Sequence, residues 1–280
     1  MPEFGSEYLP ASREAISLDW NKTKTIFILV FLVLDLFLVY QFIQKKNSSK
    51  LEFQTEASFE DRLKENNIKY DNVPREQELS EKYILAKSKI FKDDDIKTIK
   101  DQKVINNRSS IYSTLKVPYQ LNDPEDKEEV EKFVREYILY ATEYRYWQYN
   151  KEGSTINLSQ TYKGKTLFMN QNGEIKLFLN KQKQVYAYNQ TFLNNIEEFK
   201  EKEEVIPAIR AVETLFDKGK LEEKTEIKKA YLGYYTVVPA KTTQVLTPTW
   251  HIVLDNKKDF FVNALEGQIF QVTPDKKKME

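Results

Sequence analysis

Few residues of this chain can do chemistry on their own. His251 is the single histidine and cysteine is absent, which removes disulfides, thiolate metal sites and a cysteine nucleophile together. His251 follows Trp250 in a segment of strand character, where alternation sends neighbouring side chains to opposite faces. A general base needs a partner within hydrogen-bond reach, and no Ser- or Asp-containing motif accompanies this histidine. The seven glycines form no phosphate-cradling loop. The run Lys92-Asp93-Asp94-Asp95 gathers three acids but lacks the glycine and distal glutamate of an EF-hand, so it reads as a solvated turn. The sequence therefore predicts no catalytic residue, no metal and no cofactor.

What remains is the chemistry of recognition. Seventeen tyrosines include the clusters Tyr144-Arg145-Tyr146-Trp147-Gln148-Tyr149 and Tyr231-Leu232-Gly233-Tyr234-Tyr235. Tyrosine and tryptophan combine a large apolar body with a polar tip, which suits protein interfaces. Tyr144, Tyr146, Trp147, Tyr234 and Tyr235 are accordingly candidate contacts for a partner. The same rings are also able to stack on sugars, and alternation in a strand equally places a tyrosine ring on a half-buried face with its hydroxyl in water. The second feature is an acid, Asp35, set near the middle of TIFILVFLVLDLFLVYQFI, residues 25–43.

The elements that position these groups begin with that apolar run. Read as one helix it is about 28 Å long, close to the roughly 30 Å hydrocarbon thickness of a bilayer. Trp20 and Tyr40 sit where interfacial anchors belong, and Lys22, Lys24, Lys45 and Lys46 bracket the ends. The run exceeds a signal-peptide core and no A-x-A site follows it, so an uncleaved anchor at 25–44 is expected. Residues 19–24 would stay in the cytoplasm and the long C-terminal part would lie outside the cell. Fifteen Leu, Ile, Val and Phe side chains fill the span. At about −0.3 to −0.6 kcal/mol each they outweigh a central aspartate, which costs roughly 2.5 to 3.5 kcal/mol. An interhelical hydrogen bond returns only about 0.6 to 2 kcal/mol, so specificity explains Asp35 better than stability does. Ile28, Phe31, Leu32, Leu38, Val39 and Phe42 stand three, four or seven positions from it and share its helical face. This stripe is the expected contact with partner helices.

Lysine and arginine total 43 against 43 acids, and that balance, with no nucleic-acid-binding signature, argues against a nucleic-acid partner. Five N-x-S/T triplets occur in a chain rich in Asn, Ser and Thr; with cysteine absent, a bacterial cell surface fits better than a eukaryotic glycoprotein. Residues 1–18 contain Glu3-Phe4-Gly5-Ser6, which resembles a vector-derived linker, and the natural chain is expected to begin near Asp19.

Beyond the span, Ser58 begins a short helix signal, and strands are expected at 83–85 and 110–115. Asp123-Pro124 marks the start of a helix whose apolar face is Val130, Phe133, Val134, Tyr137, Ile138 and Ala141. The period then changes to two, with strands expected at Tyr144 and Tyr146 and at 155–162, 167–169, 175–179 and 185–188. The order repeats: Val205, Ile209, Val212 and Phe216 mark a helix with Pro207 in its first turn and Gly219 past its end. Strands at 230–238, 250–254, 260–264 and 268–272 follow. The fold class is α+β: an N-terminal transmembrane helix, then two tandem domains, 45–198 and 199–280, each a helix packed on an antiparallel sheet.

Three segments carry a family resemblance: Asp19-Trp20-Asn21-Lys22-Thr23-Lys24-Thr25-Ile26-Phe27, Leu232-Gly233-Tyr234-Tyr235-Thr236-Val237-Val238 and Gln244-Val245-Leu246-Thr247-Pro248-Thr249-Trp250. In this order they resemble the YycI (WalI) family, from about residue 19 to the end. The resemblance implies a membrane-anchored protein of a Gram-positive bacterium. Such a protein acts with YycH (WalH), whose fold it partly shares, on the sensor histidine kinase YycG (WalK), in the two-component system governing cell-wall metabolism. It implies contact through transmembrane helices and no catalytic residues. The expected function is thus a non-enzymatic regulatory subunit that modulates the kinase. The alternative from another class is an extracellular glycan- or peptide-binding module that uses its tyrosines.

Overall fold

The computed structural model describes residues 20–48, 56–74, 79–236, 240, 242–256 and 258–270. The tail 1–18, the cap side chain of Ser58, the side chains of Trp20, Lys45 and Lys46, and the strand ends at 237–238 and 271–272 lie outside the described residues. The chain divides into two units, 1–62 and 63–280.

In the first unit, helix α1 runs Trp20–Ser48. Lys24–Ile43 is long and apolar enough to cross a membrane, the one such helix among the described residues, and its apolar side chains are exposed. Helix α2 (Glu56–Glu65) follows.

The second unit is built on antiparallel pairing. Its strands are β1 (Leu79–Glu81), β2 (Ile84–Ser88), β3 (Gln102–Asn106), β4 (Ile111–Gln120), β5 (Tyr144–Asn150), β6 (Thr155–Tyr162), β7 (Lys165–Phe168), β8 (Glu174–Leu179) and β9 (Gln184–Gln190) in its first part. There follow β10 (Leu193–Glu198), β11 (Glu203–Val205), β12 (Ile227–Thr236), β13 (Thr243–Leu254), β14 (Asp259–Asn263) and β15 (Ile269–Phe270). Helices α3 (Asp93–Ile96), α4 (Lys127–Tyr137) and α5 (Ala208–Asp217) complete it. The α+β class and the helix-then-strands order match the sequence reading.

Helix α4 starts later than Asp123-Pro124 led one to expect. Asp123 instead closes a turn, its carbonyl accepting from the Asp126 N–H at 3.0 Å. Asp126 then caps the helix through its carboxylate, which accepts from the N–H groups of Glu128 and Glu129. Val130, Phe133 and Val134 face a core that includes Leu158, Leu177 and Tyr188. Ile138 and Ala141 lie past the helix end but keep their inward direction. In α5, Pro207 takes the N-cap position, where its missing N–H and fixed φ do no harm. Gly219 follows its end at φ +63°, as a left-handed C-terminal residue should. The three acids at Asp93–Asp95 form the single turn of α3.

Among the described residues thirteen strands join one sheet, whose main path is β10-β2-β13-β12-β7-β6-β8-β9-β4-β3. The hairpin joining β6 to β7 turns at Lys163 and Gly164, both at positive φ, the geometry of a tight two-residue connection. Strand β7 then pairs in parallel with β12, Leu167 opposite Tyr234 and Phe168 opposite Tyr235. Strand β2 lies between β10 and β13. Ile84, Ala86, Leu167 and Leu193 therefore share a core with Tyr234 and Leu246, and hydrogen-bonded pairing crosses residue 198, where the sequence suggested a boundary.

Candidate functional site

Residues expected to meet a partner lie on one exposed helix face and on one largely buried sheet face. The first is α1. Asp35 shares a stripe with Ile28, Phe31, Leu32, Leu38, Val39 and Phe42, all solvent-exposed. A carboxylate and six large apolar side chains on one helix face are suited to another helix in a bilayer, where a polar group needs a hydrogen-bonding partner.

The second lies on β12, β13 and β14, a largely buried sheet face that alternation along the strands creates. Tyr231 stands opposite His251, Gly233 opposite Thr249 and Tyr235 opposite Thr247; across the other edge of β13, His251 faces Phe261 and Thr249 faces Asn263. All these positions share one face of the sheet. Trp250 leaves by the opposite face, its indole N–H donating to the Ile206 carbonyl at 2.8 Å beside α5. The expected split between Trp250 and His251 is thus realised.

Aromatic rings dominate this face. Phe261 stacks on His251 at 4.6 Å and 5°, while Tyr231 meets the imidazole edge-on at 4.9 Å. Phe168 reaches across from β7 to within 5.3 Å of the same ring. Gly233 makes room for it: a Cβ there would overlap the Phe168 ring and the Thr166 carbonyl oxygen. From β5, Trp147 packs 5.1 Å from His251 and 5.9 Å from Phe168. It occupies a bulge between Tyr146 and Gln148, with no partner across the ladder to β6. Tyr235 stacks on Phe270 at 4.7 Å and lies 5.7 Å from Phe261.

The five predicted aromatic contacts therefore separate. Trp147 and Tyr235 come together on this face, half-buried. Tyr144 and Tyr234 do not join them. Tyr144 is 1% exposed within the α4 core, its hydroxyl donating to the Thr191 carbonyl, and burial pushes that hydroxyl's pKa far up. Tyr234 is 3% exposed and donates to Glu81 Oε2 at 3.2 Å; burial and that carboxylate raise its pKa. Neither ring presents a surface to a partner, which corrects the expectation for these two. Tyr146 packs at the rim of the α4 core, its hydroxyl pushed up to about 12, chiefly by desolvation.

Tyr231, Phe168, Phe261, Phe270 and Asp259 were not anticipated. The alternation Tyr231-Gly233-Tyr235 was a usable signal for the first, whereas the others arrive from strands distant in sequence. His251 has Asp259 Oδ2 3.2 Å from its Nε2, out of line for a hydrogen bond, and neither ring nitrogen has a hydrogen-bond partner among the described residues. Among the described residues no group of three His, Asp or Glu converges to hold a metal.

Three solved structures are similar in part. An uncharacterized protein from Eubacterium rectale ATCC 33656 is 10% identical with a TM-score of 0.40, the match covering 74% of this chain and 89% of that one. The Bacillus megaterium YpeB C-terminal domain is 9% identical with a TM-score of 0.40, covering 68% and 88%. YycH from Bacillus subtilis is 10% identical with a TM-score of 0.39, covering 73% and 61%. No curated protein matches. The model of the YycI protein family, in contrast, matches residues 46–265, nearly all of the chain beyond α1. The chain belongs to the YycI family.

Proposed function

We propose that this protein is a non-enzymatic, membrane-anchored regulator of the YycFG two-component system. In this reading it binds the sensor histidine kinase YycG together with YycH and modulates the kinase in cell-wall homeostasis. The family match over residues 46–265 carries the reading, and the N-terminal apolar helix supports membrane anchoring. The region after α1 lies outside the cell, and α1 contacts the kinase or YycH through the Asp35 stripe, because an acid in a bilayer is best satisfied by a polar group on a neighbouring helix.

Affinity capture of the intact protein from detergent-solubilised membranes tests the reading. The kinase is expected among the co-purifying proteins. Capture that repeatedly brings down wall glycan and no kinase would favour the binding-module alternative.

A further inference from the structure

The sheet face that carries His251 opens to solvent toward the end of the sheet formed by β2 and β10. Alternation sets the side chains there. Ile84 and Ala86 of β2, with Gln244 and Leu246 of β13, point into the protein and are at most 2% exposed. Leu85 and Val245, register partners between those positions, point the other way. Val245 is 44% exposed and Leu85 is half-buried. Two residues further along β13, Thr247 stands opposite Tyr235, whose ring stacks on Phe270 at 4.7 Å. Tyr83 precedes Leu85 by two positions, with the Thr247 side chain beside its hydroxyl, and its ring meets Phe199 edge-on at 6.1 Å. Phe199 is 46% exposed. Phe199, Tyr83, Leu85, Val245, Tyr235 and Phe270 thus form one row from the end of β10 to β15. Isolated exposed apolar residues are ordinary on a protein surface; a contiguous aromatic row bordered by charge is the mark of a contact site.

The border is acidic. Glu197 lies opposite Leu85 on the edge strand β10 and is exposed. Glu266 and Glu203, both exposed, stand close enough to Tyr83 that their charges add to burial in holding its hydroxyl above the ordinary tyrosine range. Residues 197–204 carry five glutamates and two lysines. Lys87, exposed opposite Thr243, is a cation on the far side of Leu85. This charge selects the occupant. An anionic lipid surface or anionic polymer would be repelled, and a second copy docked face to face would set the same carboxylates against one another. A protein segment that presents lysine or arginine beside apolar side chains matches both the row and its border.

We infer that this row is a docking surface for a basic, apolar segment of another protein. The three exposed rings of Phe199, Tyr83 and Tyr235, with Leu85 and Val245, receive the apolar side chains, and Glu197, Glu203 and Glu266 meet the cations at the rim. The inference rests on the reading that the chain works by binding proteins, and it adds a contact separate from the Asp35 stripe. Charges at a rim act mainly on encounter and on salt dependence, so both are expected to respond to their reversal.

The test uses the full chain carrying the photo-cross-linker p-benzoylphenylalanine at Val245 or at Phe199, irradiated in cell membranes. The expected product is an adduct with one protein, joined at a peptide that holds lysine or arginine beside apolar residues. Its yield falls about tenfold or more in Glu203→Lys/Glu266→Lys, a reversal at exposed positions. It also falls as sodium chloride is raised from about 0.05 to about 0.5 M, which tests the charge dependence even if the double variant fails to fold. The same cross-linker at Val117, exposed on β4 outside the row, gives no such adduct. No adduct from either position would overturn the docking surface, as would an adduct with lipid, glycan or a second copy of this chain. Attachment at an acidic peptide, or a yield unchanged by salt or by charge reversal in the folded variant, would do the same. Capture of the kinase by the intact protein is scored separately: an absent adduct with the kinase retained overturns this inference alone, and an adduct without the kinase overturns the proposed function alone.

Discussion

At the residue scale, aromatic side chains take on different roles according to the face on which they emerge. Tyr144 and Trp147 are three positions apart on β5, yet one anchors the α4 core and the other reaches His251. The Tyr144 hydroxyl donates to the Thr191 carbonyl and also accepts from Gln190 Nε2 at 3.3 Å. Tyr144→Phe removes both bonds without creating a large cavity, so a loss of about 1 to 3 kcal/mol in unfolding free energy is expected by chemical denaturation. Asp35 follows another logic, since hydrocarbon rather than protein surrounds α1 in the proposed reading. Asp35→Leu should leave insertion and protein level intact or slightly improved while lowering cross-linking yield to the kinase or YycH. Leu36→Ala, about 100° around the helix, should lower it less. Unchanged yields in Asp35→Leu, with loss on removing the region beyond α1, would transfer recognition to that region.

At the element scale, the decisive feature is how closely β7 approaches β12. Gly233 sits where the Phe168 ring crosses β12, and a Cβ at that position overlaps both the ring and the Thr166 carbonyl. Gly233→Ala must displace β7 or Phe168, and a destabilisation of about 1 to 3 kcal/mol is expected from such overpacking. The thermal unfolding midpoint of the purified protein checks this. The same variant should increase quencher access to Trp147, because Phe168 is part of that residue's packing surface. The sequence displayed Gly233 between tyrosines but gave no reason for it, since the atoms that exclude a side chain belong to a strand more than sixty residues earlier. The α4 start shows the same limit locally. Asp123-Pro124 and Asp126 are both acceptable helix openings, and the closed turn at Asp123 leaves the cap to Asp126.

At the scale of the whole molecule, strands β2 and β7 are built into the part of the sheet that β12 and β13 complete. A fragment ending at residue 198 would bare Ile84, Ala86 and Leu167, which share their core with Tyr234 and Leu246. Residues 56–280 are therefore expected to unfold in one cooperative transition followed by circular dichroism, and residues 45–198 alone to aggregate; a monomeric, cooperatively folding 45–198 fragment would instead support a domain boundary at 198. Protease added to wall-stripped intact cells is expected to remove the region after about residue 45, and its protection until lysis would reverse the proposed orientation. The sequence by itself determined the apolar helix, the two amphipathic helices and most strands, because these follow from periods of 3.6 and 2 and from local cap and turn chemistry. It also pointed to the family, through three short segments in a fixed order, of which the second and third lie within the matched residues 46–265. Tertiary structure alone decided that β2 and β7 pair with strands of the second half, that Tyr144 and Tyr234 are buried while Trp147 and Tyr235 converge, and that His251 lies inside an aromatic box. Each of those outcomes depends on which distant strand is adjacent, and alternation along one strand fixes a side chain's face without saying what that face will meet.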